Sequence, residues 1–105
     1  NYWDFRRDLG DPSLVVLKAR ILTQYAQKHG KLSAITETGT QTRDSLWYTQ
    51  LLSILRSEGV ALNYVCTWSG FSPYKGHPAA ADFCRFKRDT LVLFADEIPN
   101  FYTWH

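Results

Sequence analysis

The residues best placed for chemistry are Leu32-Ser33-Ala34-Ile35-Thr36-Glu37-Thr38-Gly39, a short apolar run that ends in a carboxylate with a glycine two positions later. A buried parallel strand delivers an acid to the mouth of a barrel in this way, and a carboxylate held there can act as nucleophile, as base or as hydrogen-bond acceptor. A glutamate at a strand end is also commonly a solvated surface residue, so Glu37 needs support from the rest of the chain. Aromatic residues supply the other candidates. They make up 15% of the chain, and the four tryptophans Trp3, Trp47, Trp68 and Trp104 offer faces that either fill a core or stack on sugars. Packing is the commoner use of any one ring, so position must decide. The histidines His29, His77 and His105 are scattered, which predicts no metal cluster.

The elements that must position these residues follow from spacing. Asn1 to Leu9 reads as an irregular loop. Asp11-Pro12-Ser13 then gives a cap and a proline at the first helical position. Leu14, Leu17, Ile21, Leu22 and Tyr25 recur at helical spacing until His29-Gly30, which predicts an amphipathic helix of about five turns packed on a neighbour. The apolar run 32–36 is too short for a helix and is bounded by glycines, so it reads as a buried strand. After a polar loop from Thr40, Asp44 or Ser45 can cap a second helix whose apolar face is Leu46, Trp47, Leu51, Ile54 and Leu55, with Gly59 beyond its last turn. Val60 to Trp68 reads as a second strand. A loop from Ser69 to Pro78 leads to a third helix, Ala79 to Lys87, with Phe83 and Phe86 inward and Asp82 as a first-turn charge favoured by the helix dipole. Leu91 to Phe94 fits either a short strand or a last helical turn, and Pro99 to His105 reads as a loose tail.

Helix, strand, helix, strand, helix is a βα repeat with parallel strands. Two such strands leave two open edges and too little core for three helices, so the expectation is a larger α/β body or pairing with a second copy. A net charge of +2 with interspersed signs gives no track for a phosphate backbone, so nucleic acid is not an expected partner. No stretch approaches the roughly 18 apolar residues of a membrane span, and no signal pattern opens the chain. The chain of 105 residues contains no methionine, which suggests a processed, excised or recombinant segment. Cys66 and Cys84, on a strand and the following helix, are expected to be two free buried thiols, although an exported protein would permit a disulfide.

Four motifs together resemble one family. They are Ala34-Ile35-Thr36-Glu37-Thr38-Gly39; Leu46-Trp47-Tyr48-Thr49 with Leu51-Leu52; Tyr64-Val65-Cys66-Thr67-Trp68; and Pro73-Tyr74-Lys75-Gly76-His77-Pro78-Ala79-Ala80 with Asp82-Phe83 and Leu93-Phe94-Ala95-Asp96. In order and spacing they are similar to the carboxy-terminal part of glycoside hydrolase family 26, the β-mannanases, over nearly the whole chain. The resemblance implies a (β/α)8 TIM barrel of which residues 1–105 are the carboxy-terminal fragment of one catalytic domain, from helix 6 to helix 8 with strands 7 and 8. It implies a retaining endo-β-1,4-mannanase activity on mannan-type polysaccharides or oligosaccharides, with no cofactor and a secreted, cell-surface or periplasmic location that follows from the substrate.

By the same resemblance Glu37 is the nucleophile and Tyr2 hydrogen-bonds it. Trp68 forms the floor beneath the sugar, and Phe71 and Tyr74, with His77, line the cleft. Plainer roles remain open beside these: Tyr2 as a disordered terminus, Phe71 and Tyr74 as packing of the loop on its own helix, Trp3 and Trp47 as packing near the rim, and His77 as a residue that starts a helix. The acid/base glutamate comes from strand 4, which the chain does not contain. Glu58, Asp96 and Glu97 are badly placed to replace it, so the 105 residues alone are expected not to hydrolyse mannan and to need the remaining barrel segment as partner. The alternative is a non-catalytic carbohydrate-binding fragment, in which Trp68, Phe71 and Tyr74 stack on sugar, or a self-associating one.

Overall fold

A computed structural model describes residues 12–39, 45–67 and 74–99. The elements run α1 (Pro12–His29), β1 (Ala34–Thr38), α2 (Trp47–Leu55), β2 (Tyr64–Thr67), α3 (Ala80–Arg88) and a 3-10 turn, Ala95–Glu97. The two strands pair in parallel, with Ala34 opposite Tyr64 and Ile35 opposite Val65. α2 therefore serves as the crossover that a parallel pair requires.

α1 stops where the glycine predicts, and the mechanism is visible. Gly30 sits at φ +60°, the left-handed conformation that costs glycine nothing. The Lys31 amide then reaches back to the Ala26 carbonyl at 2.8 Å, and the Gly30 amide to that of Gln27 at 3.4 Å. This double closure satisfies carbonyls that the last turn would leave unpaired. The face that α1 buries differs from the expected one. Val15, Ala19, Thr23 and Ala26 are buried, whereas Leu14, Leu17, Ile21 and Tyr25 remain exposed. Small side chains let the helix backbone lie close to its neighbours, and the larger ones project elsewhere.

Both strands are displaced from the sequence expectation. β1 begins at Ala34, and Leu32 is exposed. β2 begins at Tyr64 because the preceding residues make a polar clasp in place of a ladder. The Ser33 amide donates to Asn63 Oδ1 (2.9 Å), the Asn63 amide to the Ser33 carbonyl (2.7 Å), and Ser33 Oγ to the Ala61 carbonyl (3.1 Å). The Ala61 amide in turn donates to Thr23 Oγ1 at 3.1 Å. Thr23 and Ser33 are buried polar groups with partners, as burial demands. The strands are also less buried than expected: Thr36, Tyr64, Cys66 and Thr67 are exposed. Cys66 and Cys84 are both free and exposed, which corrects the expectation of buried thiols.

The core gathers around α2. Trp47, Tyr48, Leu51 and Ile54 are buried with Val15 and Ala79, and Val16, Leu55, Val65, Phe83 and Phe86 pack against them. Tyr48 meets the rings of Phe83 and Phe86 at centroid distances of 5.1 and 5.2 Å. Phe94 closes the far side edge-on to the same two rings, at 5.8 and 6.2 Å. Of the two alternatives for residues 91–94, neither forms. The stretch runs to Phe94, whose amide donates to Glu97 Oε2 at 2.8 Å to start the 3-10 turn.

The start of α2 is held by a distant residue. No side chain at Leu46 caps it, and Ser45 lies in the preceding turn. Instead the Asp82 carboxylate, 1% exposed, accepts the Thr49 amide at 2.9 Å and the Thr49 hydroxyl at 2.5 Å. The Thr49 amide is one of the first-turn donors that a helix cannot satisfy internally, and a carboxylate there also meets the positive end of the dipole. Asp82 is thus an interhelical cap rather than a surface charge on its own helix. At the other ends of the same helices, Arg56 pairs with Asp89, whose carboxyl is held below its usual range by the Leu91 amide and then by that guanidinium. Joined first turn to first turn and cap to cap, α2 and α3 run side by side in the same direction, as successive crossover helices do.

Two outcomes follow from this packing. Asp82→Ala removes the buried acceptor of the part-buried Thr49 amide and hydroxyl and should cost about 1–3 kcal/mol. A double-mutant cycle with Thr49→Val, followed by urea unfolding, should show that the two losses are not additive. Burial, then the Asp82 charge, pushes the Tyr48 phenol from 10.0 to about 12. Below pH 10 both folded and unfolded states keep the proton, and the contribution is intact. Between pH 10 and 12 the unfolded state loses it first, so stability should fall by about 1.4 kcal/mol per pH unit, a component that Tyr48→Phe should lack in alkaline unfolding curves.

Candidate functional site

Glu37 occupies the fourth of the five positions of β1, near the carboxy-terminal end where parallel strands expose functional groups. The ladder is irregular here. Ile35 pairs with Val65 and Thr38 with Thr67, so Thr36 and Glu37 on β1 stand opposite Cys66 alone on β2. An extra residue of this kind bends its strand and re-aims a side chain away from the regular alternation. Glu37 is half-buried, while Thr38 and Gly39 beyond it are buried and anchor the strand end.

Glu37 lines a recess of about 270 Å³ between β1 and α1. Val15, Leu22, Ile35 and Leu62 supply its apolar wall, and Lys18 is the basic group. Glu37 is the one carboxylate among the described residues in that lining, so a reaction needing two carboxyl groups about 5 Å apart is not complete within it. What the arrangement can do is present a single carboxylate, beside one ammonium group and an apolar wall, to a small polar ligand. Lys18 was not among the sequence candidates. Its signal is the spacing of Val15, Lys18, Ala19 and Leu22, which share one side of α1, but the larger leucines of the other stripe mask it.

The remaining candidates separate into two groups. Tyr2, Trp68 and Phe71 lie outside the described residues. Tyr74 is described, is 65% exposed and does not line the recess. Its ring lies edge-on to His77 with centroids 5.4 Å apart. His77 starts α3: its Nδ1 accepts the Ala79 amide at 3.0 Å, and its carbonyl accepts the Ala80 amide at 2.9 Å. Trp47 is wholly buried and packs the core. Glu58, Asp96 and Glu97 are exposed, and none lines the recess with Glu37. Among the described residues, no group of three or more His, Cys, Asp and Glu side chains could hold a metal ion, and no helix is long and apolar enough to cross a membrane. Neither a protein-family model nor a curated protein matches the chain.

Proposed function

We propose that this chain is the carboxy-terminal part of a retaining β-mannanase-type glycoside hydrolase, built as a (β/α)8 barrel, with Glu37 as the nucleophile. The observation that carries the reading is the position of Glu37, at a bulge near the carboxy-terminal end of a parallel strand that is followed by a crossover helix. Catalytic groups of such barrels stand at the carboxy-terminal ends of strands. The same-direction packing of α2 and α3 adds support, because a barrel repeats that relation from one unit to the next.

In this mechanism the ionised Glu37 carboxylate attacks the anomeric carbon of a β-1,4-linked mannosyl unit. A second carboxylic acid, from the remainder of the barrel, protonates the departing oxygen. The glycosyl ester on Glu37 is then cleaved by water, deprotonated by the second group, and configuration is retained. Tyr2 donates a hydrogen bond that favours the ionised nucleophile, Trp68 floors the sugar site, and Phe71 and Tyr74 flank it. The substrate is too large to enter a cell, so the enzyme acts outside the cytoplasm. A second reading, a carbohydrate-binding fragment without turnover, draws on the exposed ring of Tyr74 and the single carboxylate of the recess.

The test compares mannan hydrolysis by the complete gene product, by its Glu37→Ala variant and by the 105-residue chain alone. The complete product should be active, the variant should lose roughly ten-thousandfold or more, and the isolated chain should be inactive. Added azide should restore cleavage of an activated mannoside by the variant and yield a glycosyl azide of inverted configuration, since azide enters from the face the carboxylate vacates. Undiminished hydrolysis by Glu37→Ala would remove the nucleophile assignment. Binding of mannan without turnover by the complete product would favour the second reading.

A further inference from the structure

The side of α1 that faces away from the core is apolar. Val15, Ala19, Thr23 and Ala26 are buried. At about 100° per residue, Leu14, Leu17, Ile21 and Tyr25 lie roughly 150° around the helix from them. Ile21 is 58% and Tyr25 63% exposed, so this stripe lies in solvent. A crossover helix meets its neighbours at its flanks, so a further βα unit of the proposed barrel would leave the stripe outermost. The outer side of a surface helix is ordinarily polar, and the barrel therefore does not account for this one.

Charge and residue type say what kind of surface would meet it. Residues 12–36 contain no aspartate or glutamate. Lys28 stands three residues beyond Tyr25 and seven beyond Ile21, hence on the same side of the helix, and Lys31 follows the helix end. Both lysines are exposed. The Tyr25 ring lies against that of His29, with centroids 4.2 Å apart. Aliphatic side chains, an aromatic ring and lysines on one helix side suit the boundary between acyl chains and headgroups. There the aliphatic groups sink among the chains, the ring stays at headgroup depth, and the lysine stems carry their charge out to the phosphates. A single helix face is also convex, which fits a surface that yields around it. A second copy of α1, laid in either direction, offers Lys28 no acid to pair with.

We infer that the Leu14–Leu17–Ile21–Tyr25 stripe of α1, with Lys28 and Lys31, docks on an anionic lipid surface. The surface belongs to α1 and does not depend on the role of Glu37. The complete gene product is sedimented with phosphatidylcholine vesicles that contain about one-third phosphatidylglycerol, and with vesicles of phosphatidylcholine alone. The anionic vesicles should bind it about fivefold more tightly or better, and added salt should narrow the difference. Lys28→Gln and Lys31→Gln should each weaken binding to the anionic vesicles about fivefold, the scale of one basic residue at such a surface. Ile21→Glu should abolish it without changing the far-UV circular dichroism, because the Ile21 side chain is exposed. Leu93→Glu, at an exposed leucine beyond α3, should leave binding unchanged. Equal binding to both kinds of vesicle, absence of binding, a loss with Leu93→Glu as large as that with Ile21→Glu, or a lipid-free dimer that Ile21→Glu dissolves would each overturn the inference.

Discussion

The bond from Asp82 to the start of α2 is the constraint on which the other packing depends. α2 supplies the core, yet it is only nine residues long and begins without a side-chain cap of its own. A helix so short is marginal by itself in water and persists through tertiary contacts. Asp82 supplies the missing acceptor from α3, and in doing so it fixes the spacing and direction of two helices at once. Tyr48, Phe83, Phe86 and Phe94 can interlock only because the two helices are held in that register. Burial is the larger cause of the Tyr48 phenol's resistance to ionisation, and the buried Asp82 carboxylate adds to it, since a second negative charge beside it is unfavourable.

Local signals in the sequence transfer well to the structure, and long-range ones do not. The glycine at position 30 ends α1 by backbone geometry alone, which a sequence can display. The order of helices and strands follows from period and punctuation in the same way. The role of Asp82 is invisible at that level, because its partner Thr49 lies 33 residues away. The start of β2 is likewise set by Ser33, Asn63 and Thr23, three polar residues whose reciprocal bonds replace the expected ladder. The most instructive difference is the face of α1. A count of large apolar residues selects Leu17 and Ile21, whereas close packing selects Val15, Ala19 and Ala26, whose small size permits the approach.

The candidate site follows from the same balance of local and distant causes. The carboxylate at position 37 and its neighbours Thr38 and Gly39 were legible as a motif. The ladder irregularity at Thr36 and Glu37 was not, because it arises from the register of β1 against β2. Lys18 reaches the recess only because α1 buries its small-residue face. Among the described residues Glu37 is the one carboxylate of the recess, and β1 and β2 pair with each other alone. The glycosidase reading proposes where the second carboxyl group and the further strands would come from.

The central proposal is that Glu37 forms a covalent bond to the sugar, and the most direct measurement is to trap that bond. The complete gene product would be treated with a 2-deoxy-2-fluoromannosyl fluoride, whose fluorine at C2 slows both formation and breakdown of the glycosyl ester while its activated leaving group speeds formation alone, so that the ester accumulates, and then digested for peptide mass analysis. The account predicts a fluoromannosyl increment on the peptide containing Glu37, with fragmentation placing it on that side chain. An active enzyme that carries the label on a different carboxylate, or that yields inverted product and no label, would contradict it.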